Sequence, residues 1–320
     1  MAEITYRPAQ LEDAELASDL MTAAFPREPQ DPVMTRYQWE HPRGGWDLRR
    51  FIASVGNEPA AYLSIGHAAW EQNPELHAWL EVYLDLQHMD RGLLRRLWEW
   101  VEQEAREQGA AILNASAAEE ETELQDVLAE LGYTLDRNDR VWNLDLNKHG
   151  PRLTAEAAAA STRAQQAGIE FTTMAAWKHP DKMPLMHALV QRTRQDIPTT
   201  VPVVPESLES WVARSNPPDR PHDRWWLALD SDRPVATSAL AFPPVRGNVW
   251  TAYTASHPDY RGRGLARGVK LQTLAQAIQL GVPNVRTDND SENAAMLHIN
   301  ETLGYEPMLG YSTYQKRVSK

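Results

Sequence analysis

The residues best equipped for chemistry form one short run, Arg261-Gly262-Arg263-Gly264-Leu265-Ala266, directly after His257-Pro258-Asp259-Tyr260. Gly262 and Gly264 permit backbone conformations closed to other residues and let a ligand approach the main chain. A helix starting near Gly264 aims unpaired N–H groups and the positive end of its dipole at whatever fills the turn. Arg261 and Arg263 add formal positive charge. Together these features make a cradle for a phosphate-bearing ligand. A nucleotide P-loop requires Lys-Ser or Lys-Thr after the glycine, where Leu265-Ala266 stands here. A dinucleotide fingerprint is a closer competitor. Gly262-x-Gly264-x-x-x-Gly268 misses its spacing by one residue, and Asp288 stands roughly where a ribose-binding acid could. That motif comes late, after antiparallel strands, with too little chain left to build a parallel sheet.

A strand over 249–256, stopped by Pro258, and a helix over 265–280 must hold this turn in place. The same elements occur earlier in the chain. Gly92, Gly109 and Gly132 recur as Gly264, Gly281 and Gly304 at a fixed offset of 172 residues, and Leu131-Gly132-Tyr133 matches Leu303-Gly304-Tyr305. Each copy opens with a short strand and an amphipathic helix, followed by a hairpin and a third strand. A helix closed by glycine, a short strand, another helix and final strand pairs complete it. Antiparallel strands followed by a strand–helix–strand crossover define a mixed α/β fold with a mostly antiparallel sheet flanked by helices. The spacing predicts a first domain over 1–147, a linker with a short helix over 148–166, and a second domain over 167–320.

With 320 residues the chain can bury two cores of ordinary size. It has no apolar run long enough for a membrane span and no charged-then-apolar leader, which predicts a soluble, cytoplasmic protein without membrane contact; the lack of cysteine excludes disulfides and thiol chemistry but says nothing of compartment. Histidines such as His67, His77 and His187 show no repeated ligand spacing with acids, so no metal site is expected. The net charge of −12 divides into −15 over 1–150 and +3 over 151–320. An acidic first half argues against nucleic acid, and the second half can tolerate an anionic ligand. The twelve tryptophans read as packing. Trp98 and Trp100 sit two apart on a helix, so one of them could turn toward the other domain.

The run from Arg261 to Ala266 matches the (Gln/Arg)-x-x-Gly-x-(Gly/Ala) motif, and with its His-Pro-Asp-Tyr lead-in and Leu303-Gly304-Tyr305 it resembles the GCN5-related N-acetyltransferase (GNAT) family. The resemblance covers about 150 residues of the second half and reaches the first through the repeat. It implies a tandem acyl-CoA N-acyltransferase fold with one acetyl-CoA site, in the second half. Backbone groups of Thr254 and Ser256 would pair with the pantetheine arm, and N–H groups from Arg261, Gly262, Arg263, Gly264, Leu265 and Ala266 would hold the pyrophosphate. Asn293 would reach the cofactor, assisted by Asn289. Acetyl transfer would proceed by direct attack of a primary amine of a small molecule or peptide. The alternative is a non-catalytic acetyl-CoA binder or sensor, because Asn300 replaces the tyrosine that protonates the leaving thiolate and the strand 249–255 offers no carboxylate. Tyr253 is the candidate catalytic group, and His257 a weaker one. In the first copy Met89, Asp90 and Leu94 replace Arg261, Gly262 and Ala266, and Glu121 replaces Asn293. That copy reads as degenerate and structural, an internal pseudo-twofold partner in a monomer or in each subunit of a homodimer.

Overall fold

The computed structural model describes residues 3–318. The first half runs β1 (Ile4–Pro8), α1 (Ala14–Ala24), α2 (Pro32–Glu40), β2 (Trp46–Val55), β3 (Glu58–Ala68), β4 (His77–Leu84), α3 (Arg91–Glu107), β5 (Ile112–Ala118), α4 (Thr122–Glu130) and β6 (Thr134–Asp145). After α5 (Leu146–Gln166) come β7 (Ile169–Thr173), α6 (Lys182–Arg194), α7 (Leu208–Ala213), β8 (Trp225–Asp230), β9 (Arg233–Ala241) and β10 (Trp250–Ser256). Then α8 (Leu265–Gln279), β11 (Asn284–Asp290), α9 (Ala294–Leu303) and β12 (Glu306–Arg317) complete the second half. The repeat and the mixed α/β class are as the sequence indicated.

All twelve strands belong to one sheet, in the order β1-β2-β3-β4-β5-β12-β6-β11-β10-β9-β8-β7. Pairing is antiparallel except at β4–β5 and β10–β11. The predicted final strand pairs are corrected here. Each half ends in a single long strand, and the two halves exchange them. β12 inserts between β5 and β6, while β6 lies between β12 and β11. The exchange obeys the sequence offset. Tyr311 faces Ala118 at one junction and Asp139 faces Asp290 at the other, each residue 172 from its counterpart. Between β6 and β12, Thr134 faces Gln315 and Asn143 faces Glu306, so this pair straddles a local twofold. One continuous ladder leaves neither half with an unpaired strand edge at the junction.

The helix expected in the 148–166 segment is long rather than short. Helix α5 spans Leu146–Gln166 without a break, passing Gly150 and Pro151, and Asp145 caps it through the Lys148 N–H at 3.0 Å. Its buried face is Gly150, Leu153, Ala157, Ala160 and Ala164, a stripe of mostly small residues that escapes a search for bulky apolar periodicity. Small side chains bring α5 close to α8: a Cβ on Gly150 would sit 3.7 Å from Ile278. That packing outweighs the one hydrogen bond that Pro151 removes. The first core, beneath α3 and α4, contains Leu63, Ile65, Leu80, Leu97, Trp98 and Leu113. The second, between α5, α8 and α9, contains Leu144, Leu153, Leu271, Leu274, Val285 and Leu303. Neither Trp98 nor Trp100 turns toward the other half: Trp98 is buried in the first core, and Trp100 stacks on Tyr6 at 4.2 Å.

Candidate functional site

Strand β10 is bonded along one edge only. It pairs with β9 from Trp250 to Ser256, with a bulge between Thr251 and Tyr253, but meets β11 only at Trp250↔Arg286. Beyond that point the strands diverge. Since alternate residues of a strand direct N–H and C=O to one side, the stretch 253–256 offers unsatisfied main-chain groups to the gap. An extended ligand arm can take them as another strand would. Thr254 and Ser256 lie on this stretch, and the Thr254 hydroxyl bonds Ser238 at 2.8 Å.

The gap leads to the turn before α8. Tyr260 anchors that turn through its hydroxyl to Asp230 at 2.7 Å, and the His257 N–H donates to Val235 at 2.8 Å. Gly262 and Gly264 both adopt left-handed conformations, φ +73° and +74°, with open space where a Cβ would stand. Gly264 is the N-cap residue and no side chain caps the helix. The first N–H groups of α8, from Leu265 and Ala266 on, therefore remain available with the dipole's positive end. Arg261 leans away to Asp196 at the end of α6, at 2.5 Å, and Arg263 stacks over Tyr260 at 4.7 Å. Both stay at the rim as positive charge rather than inside the turn.

At the far wall, Asn293 caps α9 by accepting the Met296 N–H at 3.3 Å. Asn289 is engaged elsewhere, its carbonyl oxygen accepting from the Asn300 amide at 2.6 Å. The Asn300 oxygen in turn accepts from Lys270 Nζ at 2.8 Å. Lys270 and Asn300 are both 0% exposed, and the ammonium lies 4.8 Å over the Tyr305 ring. Burial lowers the Lys270 pKa to about 7. The sequence reading missed Lys270. Its only signal was a lysine set between Val269 and Leu271. The positions 172 residues earlier are Trp98, Leu128 and Ala117, all buried and apolar. The polar network is thus confined to the half with the open helix start.

Tyr253, the sequence candidate for catalysis, packs into an apolar cluster, and its hydroxyl bonds Thr193 at 2.8 Å. His257 serves the turn: its ring accepts the Asp259 N–H at 3.4 Å and meets Arg233 at 3.3 Å. Carboxylates do flank the gap, but from other strands. Asp288 lies on β11 two residues past the split, while Asp139 on β6 directly faces Asp290. Arg137 neutralises Asp290 at 2.6 Å. Burial raises the Asp288 pKa, and burial followed by the Asp288 and Asp290 charges brings Asp139 up to about 6. Asp139 belongs to the first half and reaches this position only through the strand exchange.

The corresponding turn in the first half is closed. Asp90 caps α3 by accepting the Leu93 N–H at 2.8 Å, so a carboxylate occupies the helix start. Arg91 is drawn off to Asp126 at 3.1 Å and Glu130 at 2.6 Å. A cavity of about 330 Å³ beside it is walled by Leu84, Leu86, Met89, Leu94, Glu120 and Glu121. Its one wall arginine, Arg27, is paired with Glu120 at 2.9 Å, so the mostly apolar and acidic walls present little free positive charge.

A mostly antiparallel sheet, a strand pair that splits, and a glycine turn opening a helix at the split define an acyl-CoA-type transferase fold. The chain belongs to the acetyltransferase (GNAT) family, whose model matches residues 14–133 and 189–305. Among solved structures, it is similar to a tandem GNAT protein from the clavulanic acid biosynthesis pathway, with TM-score 0.76, 17% identity and 99% of each chain covered. It is also similar to a GCN5-related N-acetyltransferase from Sphaerobacter thermophilus, with TM-score 0.67, 17% identity, and 99% and 96% of the chains covered. No curated protein matches the chain in sequence. Among the described residues, no helix is long and apolar enough to cross a membrane.

Proposed function

We propose that the protein is an acetyl-CoA-dependent N-acetyltransferase with one active site, in the second half, acting on a primary amine of a small molecule or peptide. The observation that carries this reading is the uncapped start of α8 at Gly264 beside the unpaired edge of β10. The donor set fits the cofactor: main-chain N–H groups of residues 261–266 for the pyrophosphate, the β10 edge for the pantetheine amides, and Asn293 at the opposite wall. Bound there, acetyl-CoA supplies an acetyl thioester. N–H groups of the bulged part of β10 would polarise its carbonyl. Asp288, with Asp139 beside it, is the candidate base that takes the ammonium proton and leaves the amine nucleophilic.

A second reading is a non-catalytic acetyl-CoA binder. It is favoured by the engagement of the Tyr253 hydroxyl with Thr193 and by Asn300, which cannot act as an acid and is tied to Lys270. Calorimetric titration of acetyl-CoA into the wild type and Gly264→Leu tests the site. One site per chain is expected, weakened at least tenfold in the variant, because leucine at φ +74° costs about 1–2 kcal/mol and crowds the turn. Absence of binding in the wild type overturns both readings. CoA release with a panel of amines then separates enzyme from binder.

A further inference from the structure

The half that lost the phosphate cradle has a polar cavity on the opposite face of its sheet. Arg50, Ser64 and Glu81 form a row across three neighbouring strands, with Arg50 facing Ser64 on β2–β3 and Ser64 facing Glu81 on β3–β4. In the second half the registers place Trp225, Ala239 and Tyr253 in that row. There all three belong to one packed apolar cluster. Here the row opens into a cavity of about 360 Å³. Its walls include Trp39, Tyr62 and Tyr83, with Trp39 and Tyr62 at 6.0 Å and Tyr62 and Tyr83 at 6.1 Å between ring centroids.

The two charged groups of the row attract each other across Ser64, which stands between them. Ser64, itself buried, donates its hydroxyl proton to Glu81 at 2.5 Å and separates that carboxyl from Arg50. Arg50 lies over Trp39 at 4.8 Å, and its Nε has no hydrogen-bond partner. Desolvation raises the Glu81 pKa and lowers that of Arg50. The attraction between the two groups acts in the opposite direction in each case, and both line the same cavity. Glu81 is exposed toward the cavity and Arg50 half-buried, and the Arg50 Nε, buried without a hydrogen-bond partner among the described residues, is a cost that a purely structural copy has no reason to bear. The second half shows the alternative, since it fills the same row with Trp225, Ala239 and Tyr253.

We propose that the first half binds, without acetylating, a small zwitterion of the amino-acid or short-peptide class in this cavity. Glu81 holds its ammonium, Arg50 holds its carboxylate, and Trp39, Tyr62 and Tyr83 pack against its side chain. The opposite charges at the two ends of one row set the polarity of the ligand, and the aromatic wall favours an apolar or aromatic side chain. This site is separate from the acetyl-CoA site and does not depend on it.

The test is calorimetric titration of the twenty free L-amino acids and a set of dipeptides into the full-length chain. Each binder is repeated as its N-acetyl and methyl-ester derivative. One site per chain is expected, weakened about ten- to hundredfold in Glu81→Gln and in Arg50→Gln, as for loss of a charge-assisted hydrogen bond. The N-acetyl derivative should lose what Glu81→Gln loses, and the ester what Arg50→Gln loses. Gly264→Leu should leave this binding unchanged, which separates its failure from failure of the acetyl-CoA reading. Thermal unfolding of the two variants near the wild-type midpoint shows that they fold. The proposal is overturned if no amino acid or dipeptide binds, if folded variants bind as the wild type does, or if the blocked derivatives bind equally well.

Discussion

Replacing Lys270 by methionine should change how stability depends on pH, and the direction follows from burial. The ammonium is wholly buried with one hydrogen bond, to Asn300, and one aromatic ring beneath it. Desolvation is the main cause of its depressed pKa, about 7 against 10.5 for a free lysine, with Asp288 acting weakly in the other direction. Between these values the unfolded chain binds more protons than the folded one, so stability rises with pH through this window. Full burial of the charge, below about pH 7, costs about 5 kcal/mol at about 1.4 kcal/mol per pKa unit. From about pH 6 to about pH 9 the wild type should recover about 2–3 kcal/mol of this cost, and Lys270→Met none of it. Urea unfolding followed by tryptophan fluorescence at several pH values reads the difference. Groups distant from Lys270 contribute equally to both proteins and cancel. The absolute stabilities can fall in either order, because methionine also leaves the Asn300 oxygen without its donor. Only the slope decides. Parallel pH curves for the two proteins would refute a titrating buried lysine.

Two further outcomes follow from the site and from the strand exchange. Asp288→Asn should lower kcat/KM for an amine acceptor by about 10²–10⁴ while leaving acetyl-CoA affinity near the wild-type value. In the wild type kcat/KM should fall as pH drops through about 6, the level to which burial and its acidic neighbours bring Asp139. A pH-independent rate with unaltered Asp288→Asn kinetics removes the carboxylates from the mechanism. A fragment of residues 1–147 lacks β12 and exposes the edges of β5 and β6. Gel filtration and circular dichroism should show association or poor folding, and a cooperative monomer would show that the exchanged strand is dispensable.

Much of this structure was legible in the sequence because glycine positions and apolar periodicity are local signals. The offset of 172 identified the two copies, and Asp90 in place of Gly262 already indicated which helix start was closed. The strand exchange was not legible. β6 and β12 have the composition of ordinary terminal strands, and nothing local says that each pairs with the other copy. Lys270 was missed because a single charged residue in a helix normally lies on the solvated face, and only its neighbours in space show that this face is a core. The setting of Tyr253 was hidden for the converse reason: its hydroxyl has a partner, Thr193, 60 residues away in sequence. The two halves have also diverged in complementary ways. The second buries a lysine–asparagine network where the first has Trp98, Leu128 and Ala117, and the first opens an Arg50–Ser64–Glu81 row where the second packs Trp225, Ala239 and Tyr253. In both cases the polar set is the energetically costlier filling of a position for which the other copy supplies an apolar one. Each half thus has one costly polar feature, on opposite faces of a shared sheet. Divergence toward a merely structural first copy would have replaced Glu81 and Arg50 by apolar residues, as at the phosphate turn, where Met89 stands in place of Arg261.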